Sequence, residues 1–233
     1  MIHLTKIRTL LKNNVKPSGL SGSAFCKTGP GSYAEHDEFM GVSVPTLRLI
    51  AKEFQELDRA TLQTLLSSKI NEERQLALFI LTHQFKKAVG IAKDEHCNFY
   101  MQNLHLVNNW NLVDCSAHLI LGAHIQNTDR KILTQLATSP KMWERRIAMV
   151  ATWSFIGKND LEWTFKIAKI LLNDSQDLIH KAVGWMLREA GKKDTIQLMT
   201  FLDTHGLQMP RTMLRYAIEK FPKPQRKGYL ARR

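Results

Sequence analysis

Lys181, Trp185 and Arg188 stand at i, i+4 and i+7 of a segment that reads as one helix, so they share a face. Ile179, Ala182, Val183, Met186 and Ala190 are left for the opposite, core-facing stripe. An aromatic ring flanked by cations on an otherwise solvated face suits a polyanion with flat or sugar surfaces, and nucleic acid fits that description. A second constellation is Asn108-Asn109-Trp110-Asn111-Leu112-Val113-Asp114, where Trp110 and Asp114 at i and i+4 set a carboxylate one turn from an indole. In a third, Trp143 precedes Arg145-Arg146 at the start of a helix. Residue chemistry alone leaves two readings of each. An acid near a helix start is most often a surface residue, and tryptophans are most often packing. Trp143, Trp153 and Trp163 are read as packing.

The elements that must position these residues are helical. Strand signals are nearly absent, and apolar residues recur at three and four from Val44 to Phe221, enough for about a dozen helices. Helix-start signals are frequent: Asn71 before Glu72-Glu73, Thr128 before Asp129, Ser139-Pro140, and Ser175 before Asp177. Overlaying the amphipathic segments aligns Ala77, Ser116, Ala148, Val183 and Ala217, at intervals of 39, 32, 35 and 34 residues. That is helix–turn–helix repeat spacing, and small residues at the shared position let paired helices approach closely. Chance likeness among amphipathic helices is the alternative, and the near-constant interval argues against it. The expectation is an all-α chain of repeats stacked into a curved solenoid with a concave binding groove. The overlay makes Asp114, Arg146 and Lys181 equivalent, with Trp185 one turn beyond, so that a carboxylate, an arginine and two tryptophans line one groove.

A single domain spanning 1–233 is expected, in three parts. Residues 1–43 form an N-terminal helical and loop element, 44–221 the repeats, and 222–233 a basic tail. Residues 16–43 hold five of the 12 glycines and the turn-like Lys27-Thr28-Gly29-Pro30-Gly31. The tail reads as a frayed, solvated end that adds non-specific phosphate affinity.

Composition narrows the function classes. The 233 residues are 44% hydrophobic and 23% charged, a soluble globular balance with room for a generous core. Lys and Arg total 33 against 21 Asp and Glu, a net +12 that favours phosphate-rich partners through counterion release. Solubility or an acidic protein partner is the alternative reading of the charge. The three cysteines, Cys26, Cys97 and Cys115, are far apart and suggest neither a disulfide framework nor a zinc site. A reducing cytoplasm is the expected compartment. Met1 to Asn14 is basic and amphipathic without a secretory apolar core, and no apolar run approaches the ~20 residues that span a bilayer. His118 and His124 lack metal-ligand spacing, and the chain has neither a phosphate-binding glycine loop nor a nucleophile elbow. No metal, cofactor or membrane is expected.

In this order, Trp-Asn-Leu-Val-Asp (110–114), Trp-Glu-Arg-Arg (143–146) and Lys-Ala-Val-Gly-Trp-Met-Leu-Arg-Glu (181–189) carry a resemblance. Phe-Cys-Lys-Thr-Gly-Pro-Gly (25–31) followed by Phe-Met-Gly-Val (39–42) adds to it. Over roughly residues 20 to 221 the chain resembles the AlkD-like DNA alkylation repair proteins, HEAT-like-repeat DNA glycosylases. The resemblance implies excision of purines alkylated at N3 or N7 from double-stranded DNA. It maps the catalytic aspartate to Asp114, the two active-site tryptophans to Trp110 and Trp185, and the DNA-contacting arginine to Arg146. An aromatic facing the lesion maps to Phe25, where the best-known form has a tyrosine. Arg145 competes with Arg146 for the phosphate role, and Lys27, Lys181 and Arg188 complete the expected DNA contacts. Arg188 has the alternative of pairing with an acid of a neighbouring repeat.

The implied chemistry suits these residue types. Alkylation at N3 or N7 makes the purine a cationic leaving group, and positive charge builds on the deoxyribose as the bond lengthens. Indole faces attract that charge, worth ~0.5–2 kcal/mol each. A carboxylate stabilises the oxocarbenium-like sugar and orients or deprotonates water, as in glycoside hydrolysis. No lysine is placed as a lyase nucleophile, so a monofunctional, monomeric glycosylase is expected. The alternatives are a catalytically silent relative that binds DNA structures, and a protein-binding solenoid scaffold. A pure binder has no need of the carboxylate, and the basic aromatic faces weigh against the scaffold.

Overall fold

A computed structural model of the chain describes residues 2–15 and 26–232. Among the described residues the fold is all-helical, with one isolated bridge between Glu38 and Ile70. The chain divides into two compact units, Met1–Ser116 and Ala117–Arg233.

The first unit contains α1 (Ile2–Asn13), α2 (Val44–Glu53), α3 (Arg59–Leu66), α4 (Asn71–Lys87), α5 (Ile91–Gln102), a 3₁₀ turn (Leu104–Leu106) and α6 (Trp110–Asp114). Its centre is α4, which packs against α2, α3, α5 and α6. A helix surrounded on all sides loses its polar face, and Asn71 through Leu81 are buried without interruption. That run includes Glu72, Glu73 and Arg74, charges that burial tolerates only when each is partnered. Glu73 forms a two-pronged pair with Arg8 at 2.9 and 3.0 Å, and Arg74 pairs with Asp37. Glu72 accepts the backbone N–H groups of Met40 at 3.0 Å and Gly41 at 2.8 Å. Gly41 turns the backbone there with a φ of +89°, a conformation that disfavours side chains. Asn71, expected to cap α4, is instead its first residue. Its amide donates to Asp37 at 2.9 Å.

The second unit begins with a π-helical turn (His118–Gly122), where Gly122 N–H reaches back five residues to the Ala117 carbonyl at 2.9 Å. It continues through α7 (Lys131–Ala137), α8 (Met142–Ala151), α9 (Trp153–Ile156), α10 (Glu162–Ile170), α11 (Asp177–Gly191), α12 (Thr195–His205), α13 (Arg211–Ala217) and α14 (Lys223–Ala231). Its centre is α11, packed against α8, α10, α12 and α13. Ile179, Ala182, Val183, Met186 and Ala190 are buried, as the spacing predicts. Gly184 lets α13 come so near that a Cβ there would lie 2.5 Å from the Met213 carbonyl oxygen.

The five small residues of the repeat overlay all lie in the cores of their units: Ala77 and Ser116 in the first, Ala148, Val183 and Ala217 in the second. The C-terminal stretch departs from expectation. Residues 223–231 are helical, with Pro224 in the first turn and Tyr229 buried, because Tyr229 packs on Phe221 and donates its hydroxyl to Asp203.

Candidate active site

Helix α6 is only five residues long, too short to be held by its own hydrogen bonds. A buried polar web holds it. Asn109 is fully buried and caps the helix, its side-chain oxygen accepting from Trp110 N at 2.7 Å. The same side chain donates to Asp37 Oδ2 at 2.7 Å and to Cys26 Sγ at 3.6 Å. Asn111 donates to Asn71 Oδ1 at 2.7 Å, so the first turn of α4 braces α6 from a second side. Asp37 thus joins Arg74, Asn71 and Asn109 through one carboxylate whose side chain is 5% exposed.

Trp110 and Asp114, the expected pair, both line a cavity of about 460 Å³ within the first unit. That volume falls in the small-ligand range of roughly 300–1,000 Å³. Phe39 and Val42 supply apolar wall, and Arg48, Glu72, Gln75 and Asn111 supply polar groups. Cys115 lies beside Asp114, and burial together with that carboxylate pushes its thiol up to about 12, against weaker pulls from Arg48 and Gln75. Burial also raises Cys26. Neither sulfur is a thiolate near neutral pH, and Asp114 and Glu72 are the carboxylates on the cavity wall.

In the second unit, Trp185 packs edge-on against Trp153, ring centres 4.9 Å apart at 66°. Trp153 in turn packs on His118 of the π-helical turn at 4.5 Å. Both tryptophans are half-buried, a geometry that fixes ring orientation while leaving indole surface accessible. Lys181 and Arg188 flank Trp185 as the spacing predicts. Lys181 bonds Asp177 at 2.7 Å, while Arg188 bonds Glu189 at 3.2 Å and also Glu219, an acid from the next helix pair.

The adjacent arginines are set more deeply than their spacing suggests. Arg145 makes a two-pronged pair with Asp174 at 2.6 and 3.3 Å and donates to the carbonyls of Ser139 and Pro140 at 3.0 Å. Arg146 is 5% exposed and donates to the Leu178 carbonyl. Arg145 thus ties the loops before α8 and α11 to α8, while Arg146 joins α8 directly to the first turn of α11. Lys27 is exposed on the N-terminal loop, and Phe25 lies outside the described residues.

Residue types alone did not single out Gln75, Glu72, Arg48, Trp153 or His118. For Gln75 a signal existed. The register that equates Asp114, Arg146 and Lys181, two residues before each aligned small residue, places Gln75 two before Ala77, and Gln75 shares its cavity with Asp114. Nothing in the spacing of Trp153 separates it from Trp143 or Trp163.

Residues 7–221 match the family model of DNA alkylation repair enzymes. The chain belongs to that family. A structure described as a "predicted DNA alkylation repair enzyme" from Enterococcus faecalis superposes with a TM-score of 0.66. It covers 86% of this chain and 93% of its own at 16% identity, a likeness of fold. Among curated proteins none gives a significant sequence match. As a DNA alkylation repair family member, the protein serves the repair of alkylation damage, and DNA is its implied partner. Among the described residues no helix is long and apolar enough to cross a membrane. No group of three His, Cys, Asp or Glu among them is arranged to hold a metal ion.

Proposed function

We propose that this DNA alkylation repair protein is a monofunctional glycosylase that hydrolyses the N-glycosidic bond of N3- and N7-alkylated purines in duplex DNA. It acts as a monomer and without a cofactor. The observation that carries this reading is the pairing of Asp114 with Trp110 on one cavity wall, where the neighbouring thiols stay protonated. Family membership and the net +12 support DNA as the partner.

The alkylated purine departs with the bonding electron pair, which neutralises its positive charge. Water supplies the oxygen that bonds to C1′ of the sugar, and its proton passes to Asp114 or to solvent. The Asp114 carboxylate lowers the energy of the cationic sugar, and the indole face of Trp110 attracts the same charge; Trp185 is the second tryptophan that the resemblance assigns to the reaction. Lys27, Lys181 and Arg188 are assigned to phosphates, as are Arg145 and Arg146 beside the carbonyls they already hold. Phe25 is assigned to the lesion. Recognition through sugar and backbone, without a tight base pocket, makes bulky adducts acceptable substrates. Acting on DNA, the protein would work in the cytoplasm.

The test is incubation with methylated duplex DNA and quantification of the bases set free. Release of N3- and N7-methylpurines above the spontaneous rate is expected. DNA binding without release would overturn the enzyme and leave a DNA-structure-binding protein. Failure to bind DNA at low salt would point to the scaffold.

A further inference from the structure

The last stretch of the chain carries an uneven share of its charge. Residues 206–232 hold seven Lys and Arg and a single acid, half of the net +12. Elsewhere the arginines are mostly neutralised: Arg8, Arg74, Arg130, Arg145 and Arg188 all sit in ion pairs. Arg211, Arg215, Lys223, Arg226 and Lys227 make no ion pair among the described residues, and all but the half-buried Arg226 are exposed.

Their spacing makes rows. Arg211 and Arg215 lie at i and i+4 on α13, and Lys223, Arg226 and Lys227 at i, i+3 and i+4 on α14. Like charges at that spacing lower helix stability, so the arrangement gains nothing for the fold. The opposite sides of both helices are anchored. Met213, Leu214 and Ala217 are buried on α13, while Tyr229 and Gln225 of α14 bond Asp203 and Met199 of α12. The start of α13 and the end of α14 border one open cavity of about 620 Å³, with Arg211 of the first row on its wall and, from α14, Leu230, which lies one turn beyond Arg226 and Lys227. The cations are held on fixed helices and lose little freedom when an anion binds.

We infer that the exposed basic face of α13 and α14 is a second contact surface for the phosphate backbone of duplex DNA, one that extends the footprint beyond the damaged nucleotide. Regularly spaced phosphates match rows of unpaired cations, and family membership supplies DNA as the polyanion. A lipid surface fits less well, because the exposed side of α14 carries no large apolar residue to insert.

The experiment is binding of the full chain to undamaged duplex DNA across a salt series. The wild type is compared with a variant carrying Arg211→Gln, Arg215→Gln, Lys223→Gln, Arg226→Gln and Lys227→Gln. A second variant exchanges Lys and Arg at the same five positions. With helical content and melting temperature preserved, the Gln variant should lose affinity by about 100-fold near 100 mM salt. Its plot of log K against log salt should be shallower by about 3 or more, at roughly 0.9 per phosphate contact. The Lys/Arg exchange should keep most of the affinity and the slope. Unchanged slope and affinity in the Gln variant would overturn the surface, as would a wild type that does not bind duplex DNA at low salt. Loss of anionic-vesicle binding with DNA affinity intact would reassign it to lipid. The readout uses undamaged DNA, so absence of base release would defeat the glycosylase reading and leave this one standing.

Discussion

Asn109 and Asp37 meet at 2.7 Å, and through that bond the cap of the Trp110–Asp114 helix is fastened to a carboxylate that also neutralises Arg74. Asp37→Asn keeps the shape but leaves Arg74, 6% exposed, without its counter-charge. Loss of about 3–5 kcal/mol in denaturant unfolding is expected for a buried pair broken on one side. Asn109→Ala should cost about 1–3 kcal/mol and lower base release further than its stability loss explains, because the helix carrying Asp114 loses its cap. Wild-type stability in both variants would mean that the web does not hold α6.

The close approach of α11 and α13 is tested at Gly184. An added Cβ would meet the Met213 carbonyl oxygen and Tyr216 Cβ, both at 2.5 Å, and the carbonyl oxygen belongs to backbone that cannot swing aside. Gly184→Ala should therefore destabilise by about 1–3 kcal/mol. Gly228, inside α14, has nothing within 4 Å of the same position. There Gly→Ala should be neutral or stabilising by up to about 1 kcal/mol. Opposite signs in the two melting shifts are the expected result.

Much of this arrangement was legible in the sequence, and the part that was not has a common cause. Periodicity exposed the buried stripe of α11 and the shared face of Lys181, Trp185 and Arg188. The spacing of Trp110 and Asp114 marked the pair that lines the cavity. Periodicity says little about a helix buried all round, so Glu72, Glu73 and Arg74 read as an ordinary charged first turn, although each is buried and paired over long separations. The partners of Arg145 and Arg146 lie 29 and 32 residues away, beyond the reach of local pattern. The basic end reads as a frayed tail because its anchor, Tyr229 on Asp203, is likewise a distant contact.

Alkaline pH should weaken the fold through its thiols. Burial raises Cys97 and Cys115 from 9.0 to about 12, while an unfolded chain ionises both near 9.0. The folded state therefore holds protons that the unfolded state releases. The stabilisation from the protonated thiols is complete below about pH 9 and is lost between 9 and 12. Each thiol contributes a slope of about 1.4 kcal/mol per pH unit in that window. Unfolding free energy measured from pH 8 to 11 should fall accordingly. Rapid thiol labelling of the native protein at pH 8 at Cys26 and Cys97, the two buried cysteines, would contradict their burial.

Trp185 and Trp153 should separate in kinetics. Trp185→Ala removes the ring assigned to the sugar and should lower the single-turnover rate by about 10-fold or more, with a smaller change in DNA affinity. Trp153→Ala leaves that ring in place but removes its edge-on support, so a milder rate loss and a shift in Trp185 fluorescence are expected. Equal losses in binding and rate for Trp185→Ala would mark it as a simple binding contact.

The role assigned to Asp114 is charge stabilisation in the reaction. It is tested most directly by single-turnover release of N7-methylguanine and N3-methyladenine from methylated duplex DNA, wild type against Asp114→Asn, at enzyme concentrations that saturate both. The expected result is release well above the spontaneous rate for wild type and a fall of about 100-fold or more for Asp114→Asn, with DNA affinity largely kept. Equal release by the two proteins would contradict the role assigned to this carboxylate.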